Sequence, residues 1–192
     1  MTTKISVPKV DVTINRKKQL GAFSLELGLV LLVVALLVAA AVVYYRDNIR
    51  KTSINENVTA LQYIGSNARV KYGKSNLYAQ ATTANTVRSQ VIPTGLRDGG
   101  AGVLTASNPF GGVITTAPQN LTGTADAMRI TWPTIPPGQC SDIVSGAQGE
   151  FRQVIVAATV VKPIDGVINL TTLETACDVA APVTATFDVG RS

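Results

Sequence analysis

Few side chains in this 192-residue sequence could carry covalent chemistry. It has no histidine, which removes imidazole metal ligands, the commonest general base and every Ser-His or Cys-His nucleophile pair. Its two cysteines, Cys140 and Cys177, are too few for a four-cysteine zinc site. Asp142, Glu150 and Asp165 could pair as acid and base, but they match no catalytic spacing and read as solvated surface acids. The stretch Arg97-Asp98-Gly99-Gly100-Ala101-Gly102 lacks the Gly-Lys-Ser/Thr ending of a phosphate-binding loop and reads as a turn. Toward the C-terminus, Asp165, Glu174, Asp178 and Asp188 lack the close alternation that a calcium site favours. The expectation is a protein that is not an enzyme and needs no metal or cofactor. One ionisable residue does stand out. Glu26 opens a long apolar run, and a carboxylate deep in a membrane costs about 2.5–3.5 kcal/mol, so such residues usually have a function.

That run, Leu27 to Tyr45, has 19 residues without a charge. As a helix it spans roughly 28 Å, close to the apolar thickness of a bilayer. Tyr44 and Tyr45 stand at its far end, where aromatic rings prefer the interface, and Arg46, Asp47, Arg50 and Lys51 mark the exit. A buried core helix would rarely run so far without a polar face. The formal charge of +5 is uneven: residues 1–21 contribute +4 and the remainder +1. The basic segment therefore precedes the apolar one, the pattern that keeps an N-terminus cytoplasmic. No basic stripe elsewhere suggests nucleic-acid binding. A secretory signal peptide, cut near Ala39–Ala41, is the rival reading. It leaves a long basic region and Glu26 unexplained.

Arg16-Lys17-Lys18-Gln19-Leu20-Gly21, then Ala22-Phe23-Ser24-Leu25-Glu26 and the apolar helix, resemble the class III signal of type IV prepilins. The resemblance implies a leader, residues 1–21, removed on the cytoplasmic side by a prepilin peptidase that cuts after Gly21. It also implies Ala22 as the new, N-methylated N-terminus and Glu26 as the assembly glutamate of the mature chain. The long leader and a first mature residue other than phenylalanine resemble the type IVb subgroup.

Beyond the membrane, Ile54, Val58, Leu61, Ile64, Ala68 and Tyr72 recur at four- and three-residue steps and form one face of a helix. Asn55, Glu56, Asn57, Gln62, Ser66 and Asn67 are placed on its other faces, and Gly73 is a plausible stop. The expected segments are a core helix over 22–45, an amphipathic continuation over 46–73 and a head over 74–192. Strands are expected at Val113–Thr116, Ala127–Thr134, Gln153–Val161 (paired about Ala157-Ala158) and Pro182–Val189, with short helices at Cys140–Val144 and Leu170–Cys177. Asn108-Pro109-Phe110-Gly111-Gly112 resembles a turn common in pilin heads, or is a tight turn with no further role. The fold class is α+β, a long N-terminal helix packed on a mostly antiparallel sheet.

Cys140 and Cys177 resemble the pair that bounds the C-terminal region of pilins. Export would place them where a disulfide forms, stabilising the head by about 4 kcal/mol in the chain-entropy model; two free thiols are the alternative. Three Asn-x-Thr triplets, at Asn57, Asn120 and Asn169, are common by chance in a Thr-rich chain and carry no assigned role.

The functional expectation is the major subunit of a type IVb pilus, polymerising through its N-terminal helix. The implied partners are identical subunits, the prepilin peptidase, the inner-membrane assembly platform and, indirectly, the assembly ATPase. The precursor would sit in the inner membrane with its head in the periplasm, and the assembled pilus would be extracellular. The long leader is also similar to that of pilins of thin conjugative or DNA-transfer pili, but nothing in these residues distinguishes that use from adhesion, aggregation or motility. The alternatives are a secretion-system pseudopilin and a non-polymerising, membrane-tethered binding domain or adhesin.

Overall fold

The computed structural model describes residues 16–99 and 102–191, with side chains from residue 26 onward. Residues 1–15 of the expected leader, Gly100 and Ala101 of the glycine-rich turn, and Ser192 lie outside the described residues. The chain divides into two units, residues 1–47 and 48–192.

Helix α1 runs Arg16–Ala68. No proline interrupts it, and Leu, Val and Ala dominate its first half. In the first unit its described side chains, Glu26 to Asp47, are exposed. In the second unit it becomes one-sided: Asn57, Leu61, Ile64, Gly65 and Ala68 are buried, while Ile54 and Val58 are partly covered. A π-helical turn, Arg69–Gly73, closes it and buries Tyr72.

The head sheet has five antiparallel strands in the order β1-β2-β5-β3-β4. They are β1 (Thr115–Gln119), β2 (Ala127–Ile135), β3 (Gln153–Val156), β4 (Thr159–Lys162) and β5 (Val183–Gly190). Strand β2 buries Met128, Ile130 and Trp132 in alternation, and β5 buries Ala185, Phe187 and Val189. These join Leu61, Ile64 and Ala68 of α1 in one core. Trp132 Nε1 donates to Asn57 Oδ1 at 2.9 Å, and both residues are fully buried. Asn57 therefore lies on the core face, not among the solvated residues of α1. The indole needs a buried acceptor, and an asparagine one turn before Leu61 supplies it.

The head also carries three short α-helices, α2 (Thr83–Arg88), α3 (Pro137–Ala147) and α4 (Leu170–Cys177). Pro137 is suited to the first turn of α3, and Asn169 Oδ1 caps α4 through the Thr172 amide. Helix α3 approaches α1 closely because Gly146 has no side chain; a Cβ there would meet Val58 at 2.9 Å. Gln62 Nε2 donates to Gly146 O at 3.0 Å across the same contact.

The first strand differs from expectation, Thr115–Gln119 rather than Val113–Thr116. Val113 instead bridges Ser107 after the Asn108 turn. Pro118 is tolerated because β1 is an edge strand. On its outer side Thr83 Oγ1 accepts from the Thr116 amide at 2.9 Å, so α2 partly covers that edge.

Candidate functional site

Glu26 and the apolar stretch after it form the most unusual surface of the first unit. Leu27 to Tyr45 are exposed throughout, with Leu36, Leu37 and Tyr44 at 64%, 66% and 77%. Among the described residues, α1 is the one helix long and apolar enough to cross a membrane. No described residue covers this stretch. Glu26 forms no ion pair among the described residues. Gly21 and Ala22 lie within α1, and their surroundings belong to the side chains that are not described.

In the head, Cys140 on α3 and Cys177 at the end of α4 are joined by a disulfide, with Cα atoms 5.7 Å apart. Both are buried. The bond ties the two helices that flank the β3-β4 hairpin in sequence.

The three carboxylates weighed as catalytic acids are each held by arginine. Asp142 faces Arg50 at 3.5 Å and Glu150 faces Arg69 at 3.2 Å. Asp165 pairs with Arg152, which holds its carboxyl below the usual range. They pin separate parts of the head rather than converge on a reacting atom. Among the described residues no three metal-ligating side chains cluster.

Two polar devices were not singled out from sequence. Arg129 donates to both carboxylate oxygens of the fully buried Asp188, through Nε at 2.8 Å and Nη2 at 2.7 Å, across directly paired positions of β2 and β5. Period-two alternation puts Arg129 on the open face, but nothing in one strand reveals its partner 59 residues away. Asp126 closes the loop before β2. Burial pushes its carboxyl up, but the Thr122 hydroxyl and the amides of Leu121, Thr122 and Gly123 hold it well below the usual carboxylate range.

The Asn-Pro-Phe-Gly-Gly turn has a structural role. Asn108 Oδ1 accepts from the Phe110 and Gly112 amides, and Nδ2 donates to Pro133 O at 2.6 Å. Gly112 passes so close to β2 that a Cβ would fall 2.3 Å from Thr134 Oγ1.

The PilS N-terminal family model matches residues 51–188. This chain belongs to that family. A crystal structure of the type IVb pilin from Salmonella typhi resembles it with a TM-score of 0.54 at 17% identity, covering 70% of this chain and 97% of that one. TcpA, a type IV pilin from Vibrio cholerae El Tor biotype, gives a TM-score of 0.45 at 21% identity over 69% of this chain and 98% of the other. An NMR structure of the type IVb pilin PilS from Salmonella typhi gives 0.37 at 16%, over 74% and 93%. No curated protein matches it. The first likeness is one of fold, a long helix on an antiparallel sheet. By family this is a PilS-type chain, and its head has the fold seen in that type IVb pilin.

Proposed function

We propose that this PilS-type chain is the major subunit of a type IVb pilus, made as a membrane-anchored precursor and polymerised with identical copies. The observation that carries the reading is the exposed stretch Leu27–Tyr45 preceded by one carboxylate, Glu26. Lipid can cover the stretch in storage, and neighbouring copies can cover it in a filament. Hydrophobic packing of such helices is poorly directional, so axial register needs a polar device. Cleavage after Gly21 would supply one by freeing the Ala22 amine, whose reference pKa of about 7.7–8.0 leaves it mostly cationic at neutral pH. Glu26 of an incoming subunit would meet the amine of a neighbour, since leaving either charge alone in an apolar core is costly. N-methylation of Ala22 is compatible with this role. The assembly platform and its ATPase would drive the extraction of subunits from the inner membrane. Adhesion, aggregation and DNA transfer are the uses such a filament could serve.

The test is mass spectrometry of filaments sheared from the cell surface. The expected subunit begins at Ala22 and carries a Cys140–Cys177 link. Absence of the chain from filaments, with the processed protein confined to the envelope, would favour the pseudopilin or tethered-domain alternative. A mature N-terminus near Ala41 would refute the pilin processing outright.

A further inference from the structure

The apolar stretch of α1 has opposite charges one helical turn apart at both of its ends. At its start stand the Ala22 amine, once Gly21 is cut away, and Glu26. Past its end stand Asp47 and Lys51. Both of these side chains are exposed, and neither joins an ion pair among the described residues. Asp47 lies 25 residues after Ala22, and Lys51 lies 25 residues after Glu26. Seven turns of α-helix take about 25.2 residues. Along α1, Asp47 therefore returns to the face of Ala22 and Lys51 to the face of Glu26, each within about 20°.

This spacing matters when two copies of α1 pack side by side. Where Glu26 of an incoming copy reaches the Ala22 amine of its neighbour, the helices are offset by one turn, four residues or about 6 Å. The same offset on the same face brings Lys51 of the incoming copy to Asp47 of the neighbour. The signs are reversed between the two ends: the incoming copy brings the acid at one and the base at the other. Without an offset, Asp47 would meet Asp47 and Lys51 would meet Lys51, and like charges repel. Arg46 and Arg50 come level at the one-turn offset, but they lie about 120° round the helix from the faces of Ala22 and Glu26. Arg50 is also committed to its own head, through Gly138 O and Asp142.

We propose that Lys51 of one subunit pairs with Asp47 of its neighbour, a second contact that reinforces the register set by Glu26. The pair rests on the filament reading above. Opposite charges on facing helices select partner register in this way. Within one copy the same two side chains stand at i and i+4 and could pair with each other instead. The experiment separates the two arrangements.

Sheared-filament yield is measured by immunoblot in strains expressing Asp47→Lys, Lys51→Asp, or the two variants together as separate copies, with cleavage after Gly21 followed on the same blots. Each variant alone sets like charges together, both within a copy and between copies, and should lower yield about tenfold with cleavage unchanged. In the mixed strain every copy still carries like charges within itself, but unlike charges meet wherever the two kinds of copy alternate. The expected result is filaments that contain both variants, at a yield severalfold above either alone. As a second readout, copies carrying Asp47→Cys mixed with copies carrying Lys51→Cys should give a dimer with a short bifunctional thiol reagent in intact filaments, which a pair within one copy cannot give. Parent-like yield from both charge variants overturns the proposal and leaves the filament reading standing. So do losses that the mixed strain does not restore, together with no mixed dimer, which assign the pair to a single copy. A parent strain without filaments overturns the filament reading and the proposal with it.

Discussion

Asn57→Ala is the sharpest perturbation of the contact between α1 and the head sheet. Asn57 and Trp132 are both fully inaccessible, and their side chains meet at 2.9 Å. Alanine leaves the indole N–H buried with no acceptor, a loss of about 1–3 kcal/mol. It also removes the Nδ2 contact to Ser53 O, which stays on the helix and contributes less. Taking about 2 kcal/mol for the whole, a head of this size should lose about 4–8 °C in Tm. The assay is denaturation of the full chain in micelles, followed by circular dichroism and by fluorescence. The chain has one tryptophan, so the emission reports the site itself. Asn55→Ala, two positions away and exposed, is the control and should stay within about 0.5 kcal/mol of the parent. Equal stability of the two variants would refute the view that Asn57 is a buried acceptor holding α1 to β2.

Two more outcomes concern the head. Ala157 and Ala158 both sit at positive φ, 48° and 68°, in the two-residue turn between β3 and β4. Replacing them with Asn-Gly, which favours that mirror-image turn, should raise stability by about 1 kcal/mol in denaturant titration, and a loss would show that the turn is not of this type. Asp126 gives a pH dependence. Its carboxyl is depressed in the folded head, so its contribution is complete above the unfolded value of about 3.9 and is lost as pH falls through the folded value. Asp126→Asn should therefore flatten the loss of stability below about pH 4 while changing its slope little from pH 5 to 7; an unchanged acid limb would contradict the assignment.

Where the sequence was legible, local chemistry decided the structure. Helix α4 falls on Leu170–Cys177 as expected, because Asn169 caps it and no tertiary override intervenes. The one-sided stripe Leu61, Ile64, Ala68 and Tyr72 is buried as its periodicity implies. The strand pair about Ala157-Ala158 is also where the β-branched run placed it, although alanine is no turn former. What escaped depends on partners far away in the chain. Asn57 sorts as a surface residue by polarity, and only Trp132, 75 positions on, makes it a core one. Asp188 is likewise explained by Arg129. Helix α2 carries little periodic signal in Thr-Ala-Asn-Thr-Val-Arg and is fixed by the Thr82 cap and its contact with β1.

If the apolar helix is an assembly element, its register depends on one carboxylate, Glu26. The measurement that tests it most directly is filament yield, by shearing and electron microscopy, in a strain carrying Glu26→Ala, with the precursor followed by immunoblot. The Glu26→Ala chain should insert and be cleaved after Gly21 but give few or no filaments, with Glu26→Asp intermediate because the carboxylate survives on a shorter arm. Normal filaments from Glu26→Ala would contradict it.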